Sequence, residues 1–298
     1  MITLQEILAQ ENQIVFVDGS IGDRHDFCWD TYHAHRFEDF NLQRIQEETN
    51  EYEKLKRIIE AEGTTTIPEV SKEIRACAEI IGQKVSYHSR PIIPAHKKRR
   101  NGNKGNAHFS LSKNAVLNRD ALMKMQETIF STYCSFENNE TKINDSRYKS
   151  IVDMVKMISQ DIGLKKDKAS EHGKPARDPN RSDTDERLAA AIFYFSLFDK
   201  RTPVLLTADT DFPRLLGIGI QLLGADDFRP YNKVFRKGLK GNRFKLYFSH
   251  NGDNYDNRFQ QRPLEYCKAF AINGFSAQES EAEREKVLGL WKEVAGAS

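Results

Sequence analysis

The chain has 298 residues, enough for one large domain or two modest ones with a sizeable buried core. Its 45 Lys and Arg against 43 Asp and Glu leave a formal net charge of +2, so overall charge selects no class of partner. The cysteines (Cys28, Cys77, Cys134 and Cys267) form no CxxC pair, which argues against a zinc ribbon or a disulfide scaffold and favours a reducing compartment. The sequence contains no signal-peptide pattern and no apolar run long enough to cross a membrane, so we expect a cytoplasmic protein without membrane contact.

A short helix and a buried strand are predicted first. Thr3 is placed to cap a helix that runs to Ala9, and residues 14–17 then form an apolar strand that ends in Asp18, Gly19 and Ser20. Ligands of open α/β sheets bind beyond the carboxyl ends of strands. Asp18 is therefore either a turn residue or a functional carboxylate, and the strand alone leaves both interpretations open.

The next segment is dense in Asp and His. It contains Asp23, His25, Asp26, Asp30, His33 and His35. These residue types bind zinc, but their spacing matches no zinc motif, so a polar loop beside the site is the favoured interpretation.

Two helices joined by a short strand are predicted next. Residues 37–62 have helical composition, Gly63 ends that helix, and residues 64–67 form a β-branched run. Pro68 suits the first turn of a second helix, whose apolar stripe is bordered by Glu73. An acid beside a buried stripe is unfavourable unless a cation meets it, so Glu73 is either a paired boundary residue or a functional one.

The middle of the chain is polar and basic, with helical stretches. Residues 90–106 predict a basic loop, residues 114–133 and 146–162 predict amphipathic helices, and residues 163–181 predict a second basic loop.

Acids recur in the helix and strand that follow. Ser182 or Asp183 can cap an almost wholly apolar helix that runs to about Phe198, which leaves Asp185 in its first turn. The stretch PVLLTADTDF, residues 203–212, then predicts a buried strand with Thr207, Asp209 and Asp211 at its carboxyl end.

The last part of the chain combines a basic segment with a final strand. Residues 213–223 predict a short helix, residues 229–245 carry Lys and Arg without an acid, and FKLYFS, residues 244–249, is predicted as the last strand. Residues 251–261 predict a polar loop and residues 276–295 an amphipathic helix.

Acidic residues therefore gather at one end of the predicted sheet. Each pair of like charges about 4 Å apart costs ~1 kcal/mol in water and about 4 kcal/mol at an effective dielectric constant of 20. A divalent cation offsets this repulsion, and all-oxygen ligands favour Mg²⁺ or Mn²⁺ over zinc. In two-metal sites such ions activate water for displacement at a phosphodiester.

The motifs resemble those of the PIN-domain nucleases. The matching stretches are IVFVDGS, IPEVSKEI, SDTDERLAAAIFY and LLTADTDF, within residues 12–84 and 182–250. The resemblance implies that Asp18, Glu73, Asp185 and Asp209 are the catalytic, metal-binding acids. It favours Glu73 over Glu69 and Asp185 over Asp183 at the core positions. It further implies Asp183 and Asp211 as accessory metal ligands, and Ser20 and Thr207 as polar residues near the substrate.

The family fold is a three-layer α/β/α arrangement around a central parallel sheet of order 3-2-1-4-5. The resemblance thus predicts a nuclease domain over residues 1–250, interrupted by a helical and basic insertion at about residues 85–181. A C-terminal extension over residues 251–298 would end in an amphipathic helix. The third strand has no clear counterpart in the sequence, and the long middle departs from the compact family pattern.

The implied function is a Mg²⁺- or Mn²⁺-dependent ribonuclease, an endonuclease that hydrolyses RNA. The basic segments would hold the RNA backbone through Lys97, Lys98, Arg99, Arg100, Arg236, Lys237, Lys240 and Arg243. A structure-specific DNA nuclease and a PIN-like RNA- or protein-binding module without cleavage are the alternatives. An inhibitory partner protein or a second copy of the chain is a further possible partner. A haloacid-dehalogenase-type phosphatase fits less well, because Asp18-Gly19-Ser20 lacks the second Asp of its DxD motif.

Overall fold

The computed structural model describes residues 1–22, 27–28, 37–88, 113–161, 183–209, 212–213, 215–217, 244–249 and 258–262. Within these ranges six strands form one sheet, in the order β1-β6-β5-β4-β2-β3. The strands are β1 (Ile2–Thr3), β2 (Gln13–Val17), β3 (Thr64–Thr65), β4 (Thr202–Thr207), β5 (Lys245–Ser249) and β6 (Arg258–Arg262). The prediction of an α/β fold is confirmed.

The described helices lie close to their predicted positions. They are α1 (Leu4–Leu8), α2 (Leu42–Ile59), α3 (Pro68–His88), α4 (Lys113–Asn138), α5 (Ser146–Asp161) and α6 (Thr184–Phe198). Thr3 caps α1 as predicted, in a capping box with Glu6. α2 begins later than predicted because Phe37–Asp39 forms a separate 3-10 turn and Asn41 caps the helix. α2 ends at Ile59 with Glu60 as its C-cap, so Gly63 does not end the helix as predicted; Gly63 has a φ of 90°, the left-handed backbone that favours glycine.

Four consecutive strands of the sheet, β5, β4, β2 and β3, are parallel. β2 lies between β3 and β4, and β4 pairs with β5 on its other side. Beyond the paired residues, the backbone N–H of Asp18 donates to the carbonyl of Leu206 at 3.0 Å. The carboxyl ends of β2 and β4 are therefore adjacent, which brings the motif that contains Asp18 beside the motif that contains Asp209.

The sheet as a whole is mixed, which corrects the prediction of a parallel sheet: only its four consecutive strands β5, β4, β2 and β3 are parallel. β6 runs antiparallel to β5, and β1 runs antiparallel to β6. Residues 244–249 are thus not the last strand, and part of the loop predicted at residues 251–261 is a strand. The sequence of β6, RFQQR, buries Phe259 between exposed polar neighbours, so it lacks the apolar run of a central strand.

The order 3-2-1-4-5 is not confirmed. Among the described residues, no strand follows β3 before β4. Instead a single parallel bridge joins Thr66 to Glu140, just after α4. The N–H of Thr66 donates to the carbonyl of Asn139 at 3.1 Å, and the carbonyl of Thr66 accepts from the N–H of Thr141 at 2.8 Å. This short segment occupies the sheet edge beside β3.

The helices pack in two groups. α2 and α3 each pack against α4, whereas α5 packs on α6 and α6 packs on β4; α3 also contacts α6. Phe16 of β2 meets Phe195 of α6 edge to face at 5.3 Å between ring centroids. Most apolar side chains of α6, from Leu188 to Phe195, are buried, as predicted for the helix that precedes β4. In the described part of the chain, every helix is too short or too polar to cross a bilayer.

Candidate active site

Two hydroxyl groups hold the carboxylate of Asp18, which is only 4% exposed. Ser20 Oγ and Thr207 Oγ1 both donate to Asp18 Oδ2, the second at 2.7 Å. Each hydroxyl in turn accepts a backbone N–H from the turn after β4. Ala208 N donates to Ser20 Oγ at 3.0 Å, and Asp209 N donates to Thr207 Oγ1 at 2.9 Å. The ends of β2 and β4 are therefore locked together around one carboxylate oxygen.

The environment of Asp18 disfavours its charge. Burial is the main cause, and it raises the pKa of Asp18 to about 6 although the hydroxyls of Ser20 and Thr207 act in the opposite direction. The carboxylates of Asp209 and Glu73 raise this pKa further. Both acids are therefore close enough to Asp18 to repel its negative charge.

Asp185 lies in the first turn of α6 and shares this environment. Burial, followed by the charges of Asp209, Asp18 and Glu73, raises the pKa of Asp185 well above its usual range, with a further contribution from Glu186. The residues Asp18, Glu73, Asp185 and Asp209 thus interact electrostatically, and we call them the acidic cluster. They are the four acids that the sequence motifs single out.

Packing of α3 against the turn after β2 brings Glu73 into this cluster. Gly19 lies against the apolar stripe of α3: a Cβ at this position would stand 3.5 Å from Val70 Cγ1 and 3.6 Å from Ile74 Cγ1. Ile74 directly follows Glu73 in the helix, so the contact holds this part of α3 next to Asp18. Glu69, one turn earlier, instead pairs with Arg187 Nη1 at 3.5 Å.

The chemistry of the acidic cluster suits a hard divalent cation, since its donors are carboxylate and hydroxyl oxygens. The positions of these side chains do not yet form a complete set of metal ligands. Within the described ranges, no group of three or more His, Cys, Asp and Glu side chains is positioned to hold a metal ion. The cluster therefore fits Mg²⁺ or Mn²⁺ in donor type and charge, without a formed coordination shell.

Asp183 makes ion pairs beside the cluster. Its Oδ1 lies 2.9 Å from Arg187 Nε, and its Oδ2 contacts Lys156 Nζ. Burial alone would raise the pKa of Asp183, but the contacts with Arg187 and Lys156 outweigh it and lower the pKa to about 2. Asp183 occupies the N-cap position of α6, yet its side chain makes no capping hydrogen bond to the described first turn.

Several predicted site residues lie outside the described residues. They are the accessory acid Asp211 and the basic residues Lys97, Lys98, Arg99, Arg100, Arg236, Lys237, Lys240 and Arg243. Their roles stay predictions. The Asp- and His-rich segment of residues 23–35 is also outside the described ranges apart from residues 27 and 28.

Sequence reasoning missed the cations beside Asp185. Arg187 follows Asp183 by four residues, a spacing that favours an ion pair on a helix, so this contact had a signal in the sequence. Lys156 had none, because it is one of several charged residues on an amphipathic helix. Ser20 and Thr207 were predicted near the substrate, and their described hydrogen bonds run to Asp18.

Comparison with known proteins gives no relative for this chain: it matches no family model, no curated protein and no solved structure. The resemblance to PIN-domain nucleases therefore rests on the four short motifs. The interaction of the four acids is a separate observation: strand pairing places Asp18 and Asp209 at adjacent strand ends, helix packing brings α3 against Gly19, and the charges of these acids raise the pKa of Asp185.

Proposed function

We propose that this protein is a metal-dependent nuclease that hydrolyses phosphodiester bonds in RNA. The observation that carries the proposal is the acidic cluster, in which burial and neighbouring acids raise the pKa of Asp18 to about 6. Crowding of this kind disfavours folding, and acids with strongly shifted pKa values concentrate at functional sites. Binding of divalent cations would reverse the penalty.

The acidic cluster would hold Mg²⁺ or Mn²⁺ through Asp18, Glu73, Asp185 and Asp209. The bound ions would supply an activated water and would stabilise the leaving oxygen of the cleaved phosphodiester. Ser20 and Thr207 orient Asp18 by donating to one of its oxygens, and they favour its ionised form. Carboxylates held in this way by an outer layer of hydrogen bonds bind metals more tightly than mobile ones.

A nucleic-acid backbone would require positive charge near this acidic site. We propose that the basic segments at residues 90–104 and 229–245 supply it. Tyr231 and Phe235 are interleaved with the second segment, whereas Phe244 is buried against Phe193. Lysine and arginine bind phosphates, and aromatic rings stack on unpaired bases, so single-stranded RNA is the substrate that we propose.

A PIN-like sheet is part of the same proposal. Its support is the parallel pairing of β3, β2, β4 and β5 in this order, with acids after β2 and β4 at adjacent ends. The segment around Glu140, which bridges to Thr66, would stand in place of the family's third strand.

An RNA-binding module without cleavage is the second candidate function. The observation that favours it is the lack, within the described residues, of three ligand side chains already arranged around a metal position. A module of this kind would bind RNA through the basic segments and would leave it intact.

Incubation with matched RNA and DNA oligonucleotides separates the candidates. In Mn²⁺ or Mg²⁺, the nuclease should cut labelled single-stranded RNA, and the Asp18→Asn variant should bind the same RNA without cutting it. Binding of intact RNA by both proteins would support the module without cleavage. If the protein cuts branched DNA and leaves RNA intact, the substrate is structured DNA and the proposal of RNA is wrong.

A further inference from the structure

A network of ion pairs joins three helices beside the acidic cluster. Arg187 of α6 lies between two acids: its Nε is 2.9 Å from Asp183 Oδ1 and its Nη1 is 3.5 Å from Glu69 Oε1. Lys156 of α5 contacts the other oxygen of Asp183. In addition, the hydroxyl of Tyr148 of α5 donates to the main-chain carbonyl of Arg187 at 3.1 Å.

The positions of these residues relate the network to the acidic cluster. Glu69 lies in the first turn of α3, one turn before Glu73. Asp183 and Arg187 stand two residues before and two residues after Asp185, at the start of α6. The guanidinium of Arg187 therefore links the helix that carries Glu73 to the helix that carries Asp185.

Arginine suits this position better than lysine. Its planar guanidinium presents several donors in a fixed fork, so one side chain can contact two carboxylates at a set separation. A lysine ammonium is a point charge on a flexible chain and lacks this geometry. The four charged side chains are 23–32% exposed, a degree of exposure at which ion pairs contribute little to overall stability.

We propose that Arg187 is a positioning residue that sets the separation of the Glu73 and Asp185 carboxylates and thereby tunes divalent-metal binding at the acidic cluster. This inference rests on the proposed function. Arg187 itself would touch neither the metal nor the RNA. It acts through Glu69 on α3 and through Asp183 at the start of α6.

The direction of the effect separates positioning from a simple charge effect. Removal of a positive charge near an acidic site makes the local potential more negative, which by itself would strengthen Mn²⁺ binding. Loss of a positioning contact weakens it instead; for comparison, groups that hydrogen-bond metal ligands directly typically change metal affinity by about 10–100-fold. The two explanations therefore predict changes of opposite sign.

The test is a calorimetric titration of the full chain with Mn²⁺ alone, for the wild type, Arg187→Met and Arg187→Lys. Both variants should bind Mn²⁺ about 10-fold or more weakly than the wild type. The melting temperature in metal-free buffer should stay close to that of the wild type. The control is Arg201→Met, which removes the same charge from a pair with Asp199 just beyond the opposite end of α6 and should leave Mn²⁺ affinity unchanged.

The possible outcomes distinguish this inference from the proposed function. If the wild type binds Mn²⁺ and Arg187→Met binds it equally or more tightly, the positioning role is overturned and the metal site stands. Full affinity in Arg187→Lys would also overturn it, because charge would then suffice without the fork. If both Arg187 variants fail to fold, the network is structural and the inference is wrong. If the wild type binds no Mn²⁺, the proposed function fails first and the inference with it.

Discussion

Replacement of Asp18 by Asn should stabilise the metal-free protein at neutral pH. Asp18 has a pKa of about 6 in the folded chain, against 3.8 for an ordinary Asp. A shift of this size corresponds to about 3 kcal/mol of unfavourable free energy once the folded carboxyl group is ionised. Asn has the same shape and carries no charge, so the variant avoids this term.

The pH dependence follows from the direction of the shift. Between about pH 4 and pH 6 the folded state binds more protons at Asp18 than the unfolded state, so wild-type stability falls as pH rises through this window. Below it both states are protonated and the penalty vanishes, whereas above it the penalty is complete. The Asn variant lacks this dependence.

Hydrogen bonds reduce the expected gain. Ser20 and Thr207 donate to the Asp18 carboxylate, and a bond to a neutral amide oxygen is weaker than one to a charged oxygen. A loss of about 1 kcal/mol from these bonds leaves a net gain of about 1–2 kcal/mol near pH 7.5. Near pH 4 the variant should be equal to or less stable than the wild type.

Urea unfolding of both proteins in metal-free buffer measures this difference. The free energy of unfolding should be compared at about pH 4 and about pH 7.5. A second series with Mn²⁺ at about pH 7.5 should raise the stability of the wild type more than that of the variant. A stability difference that stays the same at both pH values would refute the assigned environment of Asp18.

Three further predictions concern the neighbouring charges. Asp185→Asn should abolish metal-dependent RNA cleavage, whereas Asp183→Asn should reduce it less, because Asp183 is paired with Lys156 and Arg187. Initial cleavage rates of the two variants test this difference. Thr207→Val should raise the pKa of Asp18 further, because it removes a hydrogen bond to the Asp18 carboxylate. NMR titration of the Asp18 carboxyl carbon measures this pKa, and an unchanged value would contradict the prediction. Neutralisation of the cations at residues 97–100 should weaken RNA binding and flatten its salt dependence; an unchanged salt slope in a filter-binding assay would remove them from the binding surface.

The sequence predicts the central strands well because their signals are local. The apolar runs before Asp18 and Asp209 are typical of strands buried on both faces, and they appear as β2 and β4. Parallel pairing then places both acids at adjacent strand ends. Strand β6 was missed because Phe259, its second residue, is buried between the exposed polar residues Arg258 and Gln260 and gives no apolar run.

The candidate site could be predicted only in part. Asp18 and Asp209 at strand ends and Asp185 in a first helical turn have recognisable contexts, whereas Glu73 borders an apolar stripe and was chosen over Glu69 by the resemblance. Contacts between distant helices have no such signal. The link from Lys156 to Asp183 depends on how α5 packs against α6, and periodicity shows which face of a helix is apolar but not which helix that face meets.

The most direct test of the proposed metal-dependent nuclease activity is an assay for cleavage of labelled single-stranded RNA by protein stripped of divalent ions. The wild type should be inactive in this state and should recover activity when Mn²⁺ or Mg²⁺ is added, whereas Asp209→Asn should stay inactive. Asp120→Asn, the same change at an exposed position on α4, should behave like the wild type. RNA cleavage that persists without divalent ions, or full activity in Asp209→Asn, would contradict the proposed mechanism.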